Sequence, residues 1–476
     1  VSELRFFNTL GRAKQVFESL DAKPGPVRIY SCGPTVYGRQ HIGNMRPYVF
    51  ADLLKRTLRL FGYDVKHVIN VTDVGHLTDD ADRGDDKMEL AAQKSGESPW
   101  EIAKRYTELW ERDLETLGVA KPDVLCRATD HIPQQIAMIQ RLEERGFTYQ
   151  IRDGVYFDTA RAPHYGELCG GIAADDQQAQ ERIEAAAEKR NPCDFALWKL
   201  SPPDGARRQM EWDSPWGRGF PGWHIECSAM SAEYLGVPFD IHTGGIDHVP
   251  VHHTNEIVQS ECATGVRPSV RYWMHNGWLM IDGGKMAKSA GNIVTLDHLA
   301  EERIQPLAFR YFLLSAHYRQ QMNFNEEAIR GAQAAYERLA RHAEKLREAG
   351  QAAETPLAAE YRERFKAALG DDLNAPQALA VTWEMVRSAE LADGEKWRLL
   401  CDFDASLGLD LRNARVTTTA GAGSEADARI AALVRERDQA RKARNFARAD
   451  EIRKQLSGEG IVLEDSRDGE TRWRRG

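Results

Sequence analysis

Four stretches of this chain hold residue types that could act on a phosphate-bearing or thiol-bearing substrate. His41-Ile42-Gly43-Asn44 offers an imidazole, a glycine and a side-chain amide in adjacent places. An imidazole donates hydrogen bonds to phosphate oxygens, and a glycine lets backbone come close to them. Lys285-Met286-Ala287-Lys288-Ser289 carries two cations beside Gly283, Gly284 and Gly291, in a loop able to swing them onto an anion. His252 and Glu256 are four apart and would share one face of a helix. With Cys32 and Cys227 they would make a donor set of two thiolates, an imidazole and a carboxylate, which suits tetrahedral zinc. No Cys-x-x-Cys is present, so spacing alone equally fits two buried cysteines and an unrelated helix pair. The fourth stretch is basic. Arg441, Lys442 and Arg444 lie in an arginine-rich run, and Trp473 sits between Arg472 and Arg474 near the end. An aromatic among cations suits stacking on an unpaired base, although a solvated charged helix has the same composition.

The elements that must position these residues follow from periodicity. Val27-Arg28-Ile29-Tyr30 alternates as a strand does, and Phe50, Leu53, Leu54, Thr57, Leu58 and Phe61 fall on one helical face. Val65 to Val71 is a second strand, so the unit is strand–loop–helix–strand with a right-handed crossover. Cys32 to Asn44 then lies past the carboxyl end of a strand and at the mouth of a helix, where open α/β sheets bind nucleotides. The loop after Val27 to Tyr30 holds no Gly-x-Gly-x-x-Gly and no Walker lysine, so the ordinary dinucleotide and P-loop readings lose ground. Phe239 to His242 ends in Thr243-Gly244-Gly245-Ile246-Asp247, a second strand end at the same cleft. Val251 to Glu256 opens a helix, and Trp278 to Ile281 is a strand leading to the lysines.

The expected architecture is α/β. A Rossmann-like parallel-sheet domain spans 1–325, with an insertion at 118–220. A helical bundle follows over 326–415, then a Thr/Ala/Gly-rich linker and a small unit at 426–476. Residues up to about 26 read as an arm, Asp79 to Asp86 as a solvated loop, and Asp175 to Arg190 as an exposed helix or mobile segment. A length of 476 residues accommodates these parts. The net charge of −9 rules out a global basic coat, so nucleic acid would need a local patch. No run is long and apolar enough to span a membrane, and the start lacks a signal-peptide core. Seven scattered cysteines fit a reducing cytoplasm.

His41-Ile42-Gly43-Asn44 and Lys285-Met286-Ala287-Lys288-Ser289 resemble the HIGH and KMSKS signatures of class I aminoacyl-tRNA synthetases. Tyr30 to Tyr37, Gly222-Trp223-His224-Ile225-Glu226-Cys227-Ser228-Ala229-Met230 and His252-His253-Thr254-Asn255-Glu256 resemble the cysteinyl-tRNA synthetase family, nearly end to end. The resemblance implies one zinc ion per chain on Cys32, Cys227, His252 and Glu256, with the substrate thiolate completing its coordination. It implies catalytic roles for His41, Lys285 and Lys288, and ATP contacts from His41, Gly43, Asn44, Gly245, Asp247 and Lys288. Thr72 and Trp223 fall to the amino-acid pocket. The implied partners are ATP with Mg2+, L-cysteine and tRNA(Cys), and the implied unit is a monomer. Arg441, Lys442, Arg444 and Trp473 match the family's anticodon-reading extension. Zinc selection makes physical sense, because a pocket that merely fits a small side chain separates Cys from Ser poorly. The chain departs from the family pattern at Asn44, at Ala287 in place of serine, and in a longer loop after Asp73. Two other functions use the same residues. A cysteine ligase with an amino-sugar acceptor would lack the 426–476 tail, and a non-catalytic paralogue would lack His41 or Lys288.

Overall fold

Five parallel strands carry the backbone of the cleft. The computed structural model describes residues 3–21, 25–75, 77–79, 83–170, 188–201, 208–281, 283–285, 293–350, 352–415, 425–443, 445–459, 461–465 and 471–475. The strands are β1 (Val27–Ser31), β2 (Val65–Val71), β3 (Val124–Arg127), β4 (Phe239–Gly245) and β5 (Val270–Asn276), in the spatial order β5-β4-β1-β2-β3. Every pairing is parallel. The interior strand β4 is buried along its whole length, as a sheet covered on both faces requires. Strand order reverses between β1 and β4, so a crevice opens at their carboxyl ends. Helix α1 (Ile42–Leu60) joins β1 to β2 and buries Leu53, Leu54, Thr57 and Leu58. Helix α2 (Trp223–Leu235) enters β4, and α3 (His252–Thr264) leaves it.

Several local expectations are corrected. β3 lies within 118–220 yet pairs with β2 as an edge of the parallel sheet. Only one of its four residues is buried, so it leaves little hydrophobic signal. The added part is a four-stranded antiparallel sheet of Thr148–Ile151, Gly154–Phe157, Phe195–Leu200 and Gly219–Pro221. The expected N-terminal arm is a packed hairpin, Arg5–Asn8 against Ala13–Val16. Phe6 is fully buried, and the Asn8 side chain bonds Arg271 O and Trp273 N at 3.0 Å each, fastening the hairpin to β5. The expected solvated loop contains two short paired strands, Leu77–Asp79 and Arg83–Asp86. The stretch Asp175 to Arg190, expected as an exposed helix or mobile segment, falls largely on 171–187, outside the described residues.

Beyond the sheet, four helices span Glu326–Arg347, Pro356–Gly370, Ala375–Arg387 and Asp393–Leu407. Asn325, Thr355 and Asn374 cap the first three by accepting a backbone N–H three residues on. The chain divides into two compact units, one ending at Ala414 and one starting at Arg415. The second unit pairs helices Glu425–Lys442 and Phe446–Gly458 with a hairpin of Ile461–Asp465 and Thr471–Arg475. Its core is Ile430, Val434, Ile452, Leu456 and Ile461. Among the described residues no helix is long and apolar enough to cross a membrane.

A buried ion pair pins α1 to the helical region. Arg310 and Asp52 have fully buried side chains, with Nη2 to Oδ2 at 2.5 Å. Arg310 also donates to Leu407 O and Leu117 O, while Asp52 accepts from Arg56 (2.8 Å) and Ala120 N (3.0 Å). Burial would raise the Asp52 carboxyl, but Arg310 and Arg56 hold it below its usual value. The stabilisation is therefore complete above the unfolded value near pH ~4 and is lost as pH falls through the depressed folded value. Asp52→Ala leaves the Arg310 cation buried and unpaired, and should cost about 3–5 kcal/mol in thermal or denaturant unfolding at pH 7. A loss under about 1 kcal/mol would show that the pair is not what holds this junction.

Candidate active site

The crevice at the reversal point holds a cavity of about 580 Å³. The segment after β1 contributes Cys32, His41, Gly43 and Asn44 to its wall, and the end of β2 contributes Asn70 and Thr72. The end of β4 contributes Gly244, Gly245 and Asp247, and the flanking helices contribute Trp223, Cys227 and His252. Residues far apart in sequence thus face one space because parallel strands end on the same side.

At one part of the wall, Cys32, Cys227, His252 and Glu256 bring one donor atom each to within 4.8 Å of one another, and all four are buried. His252 Nε2 lies 3.0 Å from Glu256 Oε1, and Cys32 Sγ lies 3.9 Å from the same oxygen. A tetrahedral zinc site with bonds of 2.0–2.3 Å has donor–donor edges of about 3.3–3.8 Å, so the set fits with small inward shifts. Cys32, His242, His253 and Glu256 satisfy the same distance limit. Of the residues distinguishing the two sets, Cys227 and His252 line the cavity, whereas His242 and His253 do not. His242 Nε2 holds Glu256 Oε2 at 2.9 Å, and His253 Nε2 meets Cys32 Sγ at 3.2 Å. His253 Nδ1 pairs with His275 Nε2 (2.7 Å), whose Nδ1 pairs with Thr9 Oγ1 (2.7 Å). His224 and His252 share a hydrogen bond between Nδ1 atoms at 2.8 Å, leaving His252 Nε2 toward the cluster. Partners of this kind orient metal ligands.

The electrostatics suit a cation. Hydrogen bonding from Cys32 draws the Cys227 thiol down to about 6 against its burial, and His252 adds to the effect. Burial pushes Cys32 up. Burial lowers His252, but the Glu256 charge and the Cys227 hydrogen bond outweigh it and lift the imidazole to about 10. Burial raises Glu256, yet His242 and His252 hold it well below the carboxylate range. The cluster therefore keeps a proton on His252 between two anionic groups, where a divalent cation would do the same electrostatic work.

The opposite part of the wall is built at the start of α1. His41 is the N-cap, and its backbone N–H donates to Asn44 Oδ1 at 3.1 Å while Asn44 N–H donates to His41 O at 2.9 Å. Asn44, the departure from the usual signature, thus stabilises the helix start locally. Gly33 is obligatory, since a Cβ there would lie 1.5 Å from Asn70 O. Asn70 Oδ1 accepts the Gly33 N–H at 2.8 Å, and Asn70 Nδ2 donates to Thr72 Oγ1 at 3.1 Å. A Cβ at Gly245 would lie 2.3 Å from Asp247 Oδ1, so the glycine lets that carboxylate fold against the strand end. The Trp223 ring stacks on His252 with centroids 4.2 Å apart.

Other sequence-derived candidates stand elsewhere. The Lys285 backbone pairs with Met280 at the end of a short hairpin. The Lys285 side chain, Met286 to Ser289 including Ala287 and Lys288, the Lys442 side chain, Arg444 and the Trp473 side chain lie outside the described residues. Arg441 is exposed, and the Trp473 backbone is opposite Leu463 in the terminal hairpin. Sequence reasoning passes over Asn70, Tyr37, Gln40, Lys87, His248 and Asn276, which also line the cavity. Asn70 and His248 adjoin singled-out motifs and were within reach; Lys87 lies beyond the lengthened loop, where sequence gives no position. Phe446, 62% exposed in the second unit, was also passed over.

The sequence model for the class I (C) tRNA synthetase catalytic domain matches residues 18–334, that for a DALR domain matches 364–400, and that for the cysteinyl-tRNA ligase anticodon binding domain matches 424–474. The chain is 47% identical to cysteine–tRNA ligase 1 of Burkholderia lata, over 98% of this chain and 96% of the relative. It is 45% identical to cysteine–tRNA ligase of Rhodospirillum rubrum and 42% to that of Treponema denticola, over 99% of both chains in each case. Among solved structures, LeuRS of Agrobacterium radiobacter K84 in a ternary complex with tRNA and LeuAMS aligns with TM-score 0.58 at 12% identity, covering 84% of this chain and 86% of that one. Methionyl-tRNA synthetase of Mycobacterium tuberculosis bound by methionyl-adenylate aligns with TM-score 0.54 at 17% identity, covering 89% and 96%. These two share the fold. With catalytic-domain and anticodon-domain matches along one chain and relatives alike over nearly its full length, the chain belongs to the cysteine–tRNA ligase family of class I aminoacyl-tRNA synthetases.

Proposed function

We propose that the cavity activates L-cysteine with ATP as cysteinyl-adenylate, and that the cysteinyl group then passes to tRNA(Cys). One observation carries this reading. Cys32, Cys227 and His252 of the cluster line the same cavity as His41, Gly43 and Asn44 at the helix end, so a thiol selector and a phosphate site are joined.

In the first step a carboxylate oxygen of cysteine attacks the α-phosphorus of ATP. The new P–O bond forms as the bond to the β-phosphate oxygen breaks, and pyrophosphate leaves with that electron pair. The attacking carboxylate is already ionised at neutral pH, so the protein supplies alignment and charge neutralisation instead of a base. His41 donates to phosphate oxygens, and Gly43 and Asn44 keep the positive end of α1 facing them. Gly245 and Asp247 receive the nucleoside side. Lys285 and Lys288 neutralise charge growing on pyrophosphate, and Mg2+ enters with ATP. In the second step the 2′-hydroxyl of the terminal adenosine attacks the carbonyl carbon, the bond to the AMP oxygen breaks, and the hydroxyl proton goes to the departing phosphate.

Cys32, Cys227, His252 and Glu256 would hold one zinc ion per chain. Bound there, zinc prefers sulfur to a hydroxyl and lowers a thiol pKa, which separates cysteine from serine at binding. Trp223 keeps the His252 ring plane by stacking on it, and Thr72 lines the same pocket. The second unit reads the anticodon. Arg441, Lys442 and Arg444 supply charge, while Trp473 and the exposed Phe446 offer stacking faces. The working unit in this reading is a monomer.

Metal analysis of the purified protein should find about one zinc per chain, and Cys227→Ser should lower both zinc content and cysteine affinity. Full zinc with unchanged cysteine binding in that variant would exclude this ligand set. Cysteine-dependent ATP–pyrophosphate exchange followed by tRNA charging tests the reading as a whole. Within it, Lys288→Ala should cut exchange kcat by about tenfold or more while cysteine affinity stays within about twofold; an unchanged kcat is the contrary result. Deleting residues 426–476 should leave exchange intact and lower charging at limiting tRNA, with partial recovery at high tRNA and a weaker salt dependence of binding. Normal charging by the truncated chain at low tRNA would take anticodon reading away from this unit.

A further inference from the structure

Arg46 is two residues past Asn44 on α1 and is 3% exposed. Among the described residues no carboxylate pairs with it. Its Nη1 donates to the carbonyls of Gly277 (2.7 Å) and Trp278 (2.6 Å). Its Nη2 donates to those of Gln320 (2.6 Å), Tyr318 (3.2 Å) and His317 (3.4 Å). Burial pulls the guanidinium down to about 10, so it remains a cation at neutral pH. A buried charge satisfied by carbonyl dipoles alone is a demanding arrangement, and it exists here because two backbone stretches converge on the fork.

Those stretches lead toward the chemistry. Gly277-Trp278 is the corner between β5 and the strand Leu279–Ile281, which turns back through Gly284–Lys285. Residues 317–320 precede Met322–Phe324, which pairs in parallel with Leu279–Ile281. The two stretches also bond directly, Gly277 N to Tyr318 O and Met322 N to Trp278 O, each at 2.9 Å. A Cβ at Gly277 would lie 2.6 Å from Gln320 O and 2.8 Å from Arg319 O, so the corner closes only with glycine there. On the other side of the fork, the helix bearing Arg46 begins at the cavity wall with His41, Gly43 and Asn44.

We infer that Arg46 is a positioning residue for the activation step, its fork setting the separation between the His41–Asn44 helix end and the strand that delivers Lys285 and Lys288. This rests on the role given above to the lysines. A lysine at position 46 keeps the charge but has a single nitrogen, which cannot hold the Gly277–Trp278 corner and the 317–320 segment as a planar fork does. An arginine serving only the core would change stability and leave kcat in place.

The test is a double-mutant cycle of Arg46→Lys and Lys288→Ala in the full chain, read by ATP–pyrophosphate exchange with cysteine KM, zinc content and Tm alongside. Arg46→Lys should lower kcat by about tenfold or more, with cysteine KM within about twofold and zinc unchanged. In the Lys288→Ala background the same substitution should cost no more than about twofold further, because both act on one contact. An unchanged kcat, or an equal factor in both backgrounds, overturns the inference about Arg46. Full kcat in Lys288→Ala alone overturns instead the reading of the lysine on which it rests. Gly277→Ala, which leaves Arg46 in place and forces the corner off Gln320 O, goes through the same cycle. It should give the same kcat-selective, non-additive loss, so the inference is still decided if Arg46→Lys does not fold.

Discussion

The active-site wall depends on how closely the chain leaving β1 lies against the end of β2. There is no room for a side chain at Gly33, whose missing Cβ would sit 1.5 Å from the Asn70 carbonyl oxygen. Because the backbones touch, Asn70 can clamp Gly33 with its oxygen and orient Thr72 with its nitrogen. The contact continues as a bridge between Thr35 and Thr72, with Thr72 N–H to Pro34 O at 3.0 Å and Val36 N–H to Thr72 O at 3.2 Å. Cys32 is thereby held at the cluster while, a few residues later, the chain starts α1 at the cavity. One steric constraint sets both the Cys32 side and the His41 side of the cavity.

Charge is buried here in three different ways. Asp52 and Arg310 neutralise each other and pin α1 to the helical region. Among the described residues no anion pairs with Arg46, which is satisfied by backbone carbonyls. Glu256 is shared among imidazoles at 2.9 Å and 3.0 Å, beside two thiols. The first is a structural pair, complete in itself. The last is a set of donors with more negative than positive capacity, the property that distinguishes a place for a cation from an ordinary salt bridge.

The glycine pair at the end of β4 links these two sides. A Cβ at Gly244 would lie 2.6 Å from the His253 ring, so α3 could not bring His252 and Glu256 to the cluster with a larger residue there. Gly245 does the same for Asp247. His253 in turn reaches through His275 to Thr9 in the N-terminal hairpin. That hairpin therefore supports the site from behind and is part of the catalytic unit's architecture.

Much of this is legible in the chain by itself. Alternation over Val27 to Tyr30, helical spacing from Phe50 to Phe61 and the strand at Val65 to Val71 dictate a βαβ unit, because burial of one face acts within a few residues. The residue types of the donor set and of both signatures are likewise plain in sequence. Tertiary structure alone decides the rest. It makes Val124–Arg127 an edge of the parallel sheet, and it turns the first residues into a hairpin on β5. It also leaves Cys227 and His252 on the cavity while His242 and His253 stand behind. Arg46 is the sharpest case: on an amphipathic helix an arginine reads as a surface residue, and only the carbonyls of Gly277, Trp278, His317, Tyr318 and Gln320, more than two hundred positions away, make it a buried fork. Local periodicity records which face of an element is buried, whereas which distant groups meet that face depends on how the strands are ordered in space.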